Sequence, residues 1–172
     1  MHDSRLGNLL GAAALALSDL ILARVREAAG VSVSGAAALV VLAHAPGVSV
    51  TELGRRVGLS QPATARMVTS LEAAGLARRG PGAGRTVPVA LTEAGERTVG
   101  EVLATRAAGT EQVLAGLGED DRRALTHLLE GLLTRLHAEV GSAEVLCRLC
   151  DRARCTEGAV CPVGQAERDR GR

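Results

Sequence analysis

Apolar positions recur at helical spacing along most of the chain, and turn residues cut them into segments. Residues 6–29 read as one long helix ended by Gly30. Ser34 is placed to cap a second helix over residues 35–45, stopped by Pro46-Gly47. In "SVTELGRRVG", Ser49 and Glu52 stand in the S-x-x-E spacing of a capping box, which satisfies free N–H groups of the first turn. Leu53 and Val57 share one face of this short helix, and Gly58 ends it. Ser60 is the expected cap of "QPATARMVTSLEAA". Pro62 sits in its first turn, where a missing N–H costs nothing, and Gly75 closes it. Thr64, Met67, Val68 and Leu71 recur on one side and are expected inside; Gln61, Ala65, Arg66 and Thr69 fall on the other.

The period then changes. "LARR", a tip "GPGAG" and "RTVPVAL" predict a hairpin of two short strands. Pro88 has no N–H to give a ladder, so the returning strand is expected to be an edge there. Thr92 opens another helix, broken at Gly118. The acidic "EDD" then opens a last helix over residues 120–144, its carboxylates at the positive end of the helix dipole. Beyond a cysteine-rich stretch, residues 165–172 are charged and expected to lack fixed structure. No internal repeat is present.

Composition changes this picture in three ways. The chain of 172 residues has no Phe, Tyr or Trp, so its core must be built from Leu, Val and Ala. All 20 basic residues are arginine, so every basic contact is a guanidinium, a group suited to phosphate and to guanine edges. The net charge is only +1, but residues 48–91 carry six arginines against Glu52 and Glu72, a local +4. A basic segment in a balanced chain points to an anionic partner at one face. The apolar run "LLGAAALAL" near the N-terminus is interrupted by Ser18 and Asp19. It reads as a core or dimer helix too short to span a membrane, and a cytoplasmic protein without a membrane partner is expected.

Helix, tight turn, capped helix and Arg-bearing hairpin is the order of a winged helix-turn-helix. Its second helix can lie in the major groove of double-stranded DNA, and its hairpin can set an arginine in the minor groove. Gln61 and Arg66 are the candidates for base edges, with Ser60 and Thr69 on the same surface; Arg85 is the candidate at the wing; Arg55, Arg56, Arg78 and Arg79 are candidates for phosphates. The lack of aromatics argues against single-strand binding by stacking.

The stretch "SVTELGRRVGLSQPATARMVTSLEAAGLARR" followed by "GRTVPVALTEAGERT" resembles the MarR (multiple antibiotic resistance regulator) family of bacterial transcription factors. The resemblance covers about residues 6–144. It implies a homodimer whose first and last helices interlock, with two recognition helices reading half-sites of a pseudo-palindromic operator. It also implies a regulator, most often a repressor, that lets go when a small-molecule effector binds or a cysteine is oxidised. Where the family often has an Asp bracing the wing arginine, this chain has Ala83, two residues before Arg85; Pro88 is a second departure. The expected fold class is mainly α with a small β wing: a winged helix-turn-helix flanked by N- and C-terminal dimerisation helices. The expected division is a dimerisation helix over 1–33, the DNA-binding domain over 34–91, dimerisation helices over 92–146, a four-cysteine segment over 147–162 and a tail over 163–172.

All four cysteines lie in "CRLCDRARCTEGAVC", spaced C-x2-C-x4-C-x5-C, with Pro162 after the last. Cys147, Cys150, Cys155 and Cys161 offer the four thiolates of a closed tetrahedral site, in which Zn2+ would be structural. They equally suit an iron–sulfur cluster, for which Cys is the usual ligand and a Cys-Pro ending recurs. The spacing resembles, without matching, the C-x2-C-x-C-x5-C-P loop of redox sensors of the mercury-resistance regulator family. Arg148, Arg152 and Arg154 nearby favour an anionic cluster. A metal-free thiol switch is a further reading. His44, His127 and His137 are expected to be structural or solvated. Outside gene regulation, the Cys147–Cys150 C-x-x-C could belong to a thiol-disulfide oxidoreductase, but no thioredoxin-like βαβ pattern accompanies it. The segment could also be a metal knuckle that recruits a protein. No nucleophile–base pair, phosphate loop or paired carboxylates suggest catalysis.

Overall fold

The computed structural model describes residues 4–82 and 87–171. Its elements run α1 (Ser4–Ala29), α2 (Val33–His44), α3 (Val50–Val57), α4 (Gln61–Ala73), β1 (Ala77–Arg79), β2 (Val89–Leu91), α5 (Glu93–Leu114), α6 (Glu119–Val140), α7 (Ala143–Leu146), α8 (Arg152–Cys155) and α9 (Pro162–Arg170). The fold is mainly α with a small antiparallel wing, as the sequence predicts.

Helix α2 is the hub. Every residue from Gly35 to Leu42 is buried, because α1, α3, α4, α5 and β2 surround it. A helix apolar all round belongs at such a centre. Leu39, Leu42, Leu53, Val68, Leu71, Val89 and Val102 fill the space about it. The cap of α2 is Ser32 rather than the expected Ser34: the Ser32 hydroxyl accepts the Gly35 N–H at 3.1 Å, and Ser34 lies half-buried inside the first turn. Both serines satisfy the local preference, so the local pattern alone does not separate them.

The wing holds a second difference. β1 and β2 pair with Arg78 opposite Ala90. The other side of β2 is not an edge. Val89 donates to Val48 O at 2.9 Å, Val50 donates to Val87 O at 3.1 Å, and Ser49 bridges to Pro88. Pro88 is tolerated because its carbonyl faces the β1 side, where it accepts from Gly80 N at 2.9 Å.

Helix α6 ends earlier than residue 144. Gly141 adopts φ 74° and donates to His137 O, a left-handed cap that leaves Ala143 free to start α7. Residues expected to lack structure form α9 instead. Val163 is buried, the His137 imidazole on α6 pairs with Glu167, and Arg170 donates to His137 O at 3.0 Å. His137 is thus a structural histidine, 1% exposed.

The first half of α1 is almost wholly exposed, including Leu9, Leu10 and Leu15, and α6 exposes Leu128, Leu129 and Leu136. The full length of α1 also corrects an expectation. By length and composition alone it is long and apolar enough to cross a membrane, and none of its most apolar stretch is buried within the chain.

Candidate nucleic-acid interface and thiol cluster

Helices α3 and α4 form the helix-turn-helix. Ser49 caps α3 by accepting the Glu52 N–H at 3.2 Å. Gly58 adopts φ 73°, a left-handed conformation that favours glycine, and the following Leu59 N–H returns to Gly54 O at 2.9 Å. Ser60 stands at the cap position of α4, but its side chain makes no capping bond. Its carbonyl instead takes the Thr64 N–H and hydroxyl, both at 2.9 Å. Thr64, Met67, Val68 and Leu71 are buried, as their spacing predicts.

Ser60, Gln61, Ala65, Arg66 and Thr69 are all exposed on the outer side of α4. Arg66 has no carboxylate partner among the described residues. The same holds for Arg78, which is exposed at the base of the wing. Arg79 is held differently: its guanidinium pairs with Glu72 and reaches the Ala65 carbonyl and the Thr69 hydroxyl at 3.4 and 3.3 Å. Arg79 therefore ties the wing to α4, with its charge largely matched. The wing candidate Arg85 lies outside the described residues.

Arg55 and Arg56 are also held by carboxylates. Glu52 accepts from both at 2.7 Å, and Glu144 of α7 lies 2.9 Å from Arg55 and 3.5 Å from Arg56. The i, i+3 and i, i+4 partners were visible in the sequence as a spacing; Glu144, nearly ninety residues away, was not. Donation from Arg55, then from Arg56, lowers the Glu52 carboxyl to about 2 from the ordinary 4.5. A depressed folded value means its stabilisation is complete above pH 4.5 and is lost as pH falls through about 2. Unfolding midpoints measured across that window should fall less steeply in Glu52→Gln than in wild type.

The four cysteines are free thiols brought to one place. Cys147 caps the end of α7, the Cys150 N–H returns to the Cys147 carbonyl at 2.9 Å, Cys155 ends α8, and Cys161 caps α9, its sulfur taking the Gly164 N–H at 3.4 Å. All four line a cavity of about 270 Å3, with Val163 and Glu167 at its wall. A hydrogen bond from Cys150 lowers the Cys147 thiol, and the same contact pushes Cys150 up. Burial raises Cys155 to about 11. Among the described residues, no three or more His, Cys, Asp or Glu side chains are drawn into a geometry that closes on a metal ion. The donor set is nevertheless that of a thiophilic centre, because four sulfurs and no competing carboxylate cluster face one cavity. His44 approaches the Cys150 carbonyl at 3.4 Å.

A MarR family model matches residues 29–86, from the end of α1 into the wing, and stops well before the cysteines. No curated protein matches the chain. The solved structure of the Mycobacterium tuberculosis MarR family protein Rv2887 is 28% identical, with 76% of this chain and 95% of that one covered and a TM-score of 0.62. The same protein in complex with DNA matches with a TM-score of 0.62, covering 76% of this chain and 98% of that one at 28% identity. In complex with salicylic acid it matches at 0.57 with the same identity and coverage. The YusO protein of Bacillus subtilis is 25% identical over 77% of this chain and 97% of its own, with a TM-score of 0.62.

Proposed function

From the premise that the chain carries a MarR-family winged helix-turn-helix and is a transcription regulator of that kind, we propose that it represses transcription in the cytoplasm as a homodimer. Each protomer reads one half-site of a pseudo-palindromic duplex through the outer side of α4. The observation that carries this reading is the exposed row Gln61, Ala65, Arg66 and Thr69, with Arg66 and Arg78 free of carboxylates among the described residues. A guanidinium without an internal partner is available to a guanine edge or a phosphate. Rv2887 crystallised with DNA supports DNA binding by this chain, and its complex with salicylic acid supports a small-molecule effector for it too. The second copy covers the exposed leucines of α1 and α6; an apolar surface of that extent marks an interface.

The four thiols are proposed to hold a metal centre, an iron–sulfur cluster before zinc. The guanidiniums of Arg106 and Arg152 act on Cys150 and Cys147, and positive charge suits an anionic thiolate-ligated cluster. When bound, the centre would cross-link α7, α8 and the start of α9.

The experiment is an anaerobic purification, followed by metal and sulfide analysis, sedimentation and selection of duplexes from a random pool. A brown dimer with iron and sulfide that enriches one palindromic duplex is expected. Zinc alone would make the site a structural clasp. A protein with neither metal would sink the metal reading and leave the thiol switch, and an unenriched pool would sink the regulator reading.

A further inference from the structure

The thiol segment is docked on the DNA-binding domain itself. Val145 of α7 lies beside Gly58 in the helix-turn-helix turn, its methyls 3.7 Å from the place a Cβ would occupy. Leu149, between Cys147 and Cys150, packs on the central core, and the next carbonyl meets His44 at the end of α2. From this platform Glu144 reaches Arg55 and Arg56. With Glu52 it makes a cluster of two guanidiniums and two carboxylates, net zero. Without Glu144 the same face of α3 would carry +1.

We propose that α7 is an acidic latch on the DNA-binding domain. A centre held by the four cysteines keeps Glu144 on Arg55 and Arg56, and its loss leaves the pair to Glu52 alone, with one net positive charge for DNA phosphate. This rests on the metal reading and the DNA reading given above. A helix of one turn does not hold itself together in water. No residue from Ala143 to Cys161 is fully buried, and the apolar anchors of the segment on the DNA-binding domain are Val145, beside Gly58, and Leu149, on the central core. Ligation of Cys147 and Cys150 to a centre shared with Cys155 and Cys161 would fix the end of α7 and the flanks of Leu149. Metal binding of this kind is folding free energy for the segment that supplies the ligands. Emptying the site loosens α7, and a guanidinium released from a carboxylate near a polyanion pairs with phosphate, displacing a counterion.

The test compares full-length wild type with Glu144→Gln by fluorescence anisotropy, on the duplex that wild type selects, over a series of salt concentrations. The variant should bind several-fold tighter, with a salt slope steeper by about 0.9 for each phosphate gained. Stripping metal with dithionite and EDTA should move wild type to the behaviour of the variant and leave the variant in place. Leu149→Ala, which undocks α7 without changing charge, should mimic stripping; it keeps the test decisive if Glu144→Gln fails to fold. Equal or weaker binding by both variants overturns the latch. So does a stripping effect of equal size in wild type and Glu144→Gln. A wild type that selects no duplex or carries no metal overturns the latch through the readings beneath it, and that failure is visible before any variant is compared.

Discussion

Arg66→Ala should lower affinity for the selected duplex by about 1–3 kcal/mol and relax its preference at one base position. The side chain leaves α4 from the side opposite Thr64, Met67, Val68 and Leu71, so its loss leaves the core intact. Among the described residues it has no carboxylate partner to compete with a base edge, unlike Arg79, whose guanidinium pairs with Glu72. Arg78→Ala is the matched control. Loss of an exposed arginine that meets only phosphate should weaken binding to all sequences alike and reduce the salt slope by about 1. Competition titrations with single-base variants of the duplex separate the two. Identical behaviour of both arginines would mean that α4 does not enter the groove as assigned.

Gly95→Ala should destabilise the fold by about 2–3 kcal/mol, although alanine is the better helix former. A Cβ at Gly95 would stand 2.0 Å from the Leu76 carbonyl oxygen. That oxygen cannot yield cheaply. It accepts the Thr92 N–H at 3.1 Å, the Leu76 N–H is tied to Leu71 O at 2.9 Å, and the Thr92 hydroxyl donates to Gly75 O at 2.6 Å. The start of α5 is thus pressed onto the root of the wing, where only a hydrogen atom fits. Gly100→Ala, one and a half turns further along the same helix, meets nothing within 4 Å. It should stabilise by about 0.5–1 kcal/mol. Urea titrations of the two variants should therefore shift in opposite directions. A shift of both toward higher stability would refute the close approach at Gly95.

Both predictions concern parts of the chain whose local pattern was informative. The Ser49 and Thr92 caps, the left-handed glycines 58 and 75 and the buried side of α4 each follow from residues within four positions of one another. What was not legible depends on contacts between distant segments. The 47–50 segment covers β2 and removes the edge that Pro88 suggested. α9 forms because His137, Glu167 and Arg170 meet across α6, while its composition alone reads as a solvated tail. Glu144 looked like the last turn of a dimer helix. Gly141, a stop signal in plain view, detaches it from that helix and delivers it to Arg55 and Arg56. The cysteine spacing showed which chemistry the segment offers, and folding shows which neighbour would feel it.

The packing around α2 uses no Phe, Tyr or Trp, since the chain contains none. Its optical consequence is a protein almost transparent in the near ultraviolet, with no intrinsic fluorescence. Any absorption band beyond the amide region would belong to whatever the four sulfurs hold, read against an empty background. A single tryptophan introduced near α7 would be the sole emitter in the molecule, so quenching or recovery of its light would report the movement of that segment without a label.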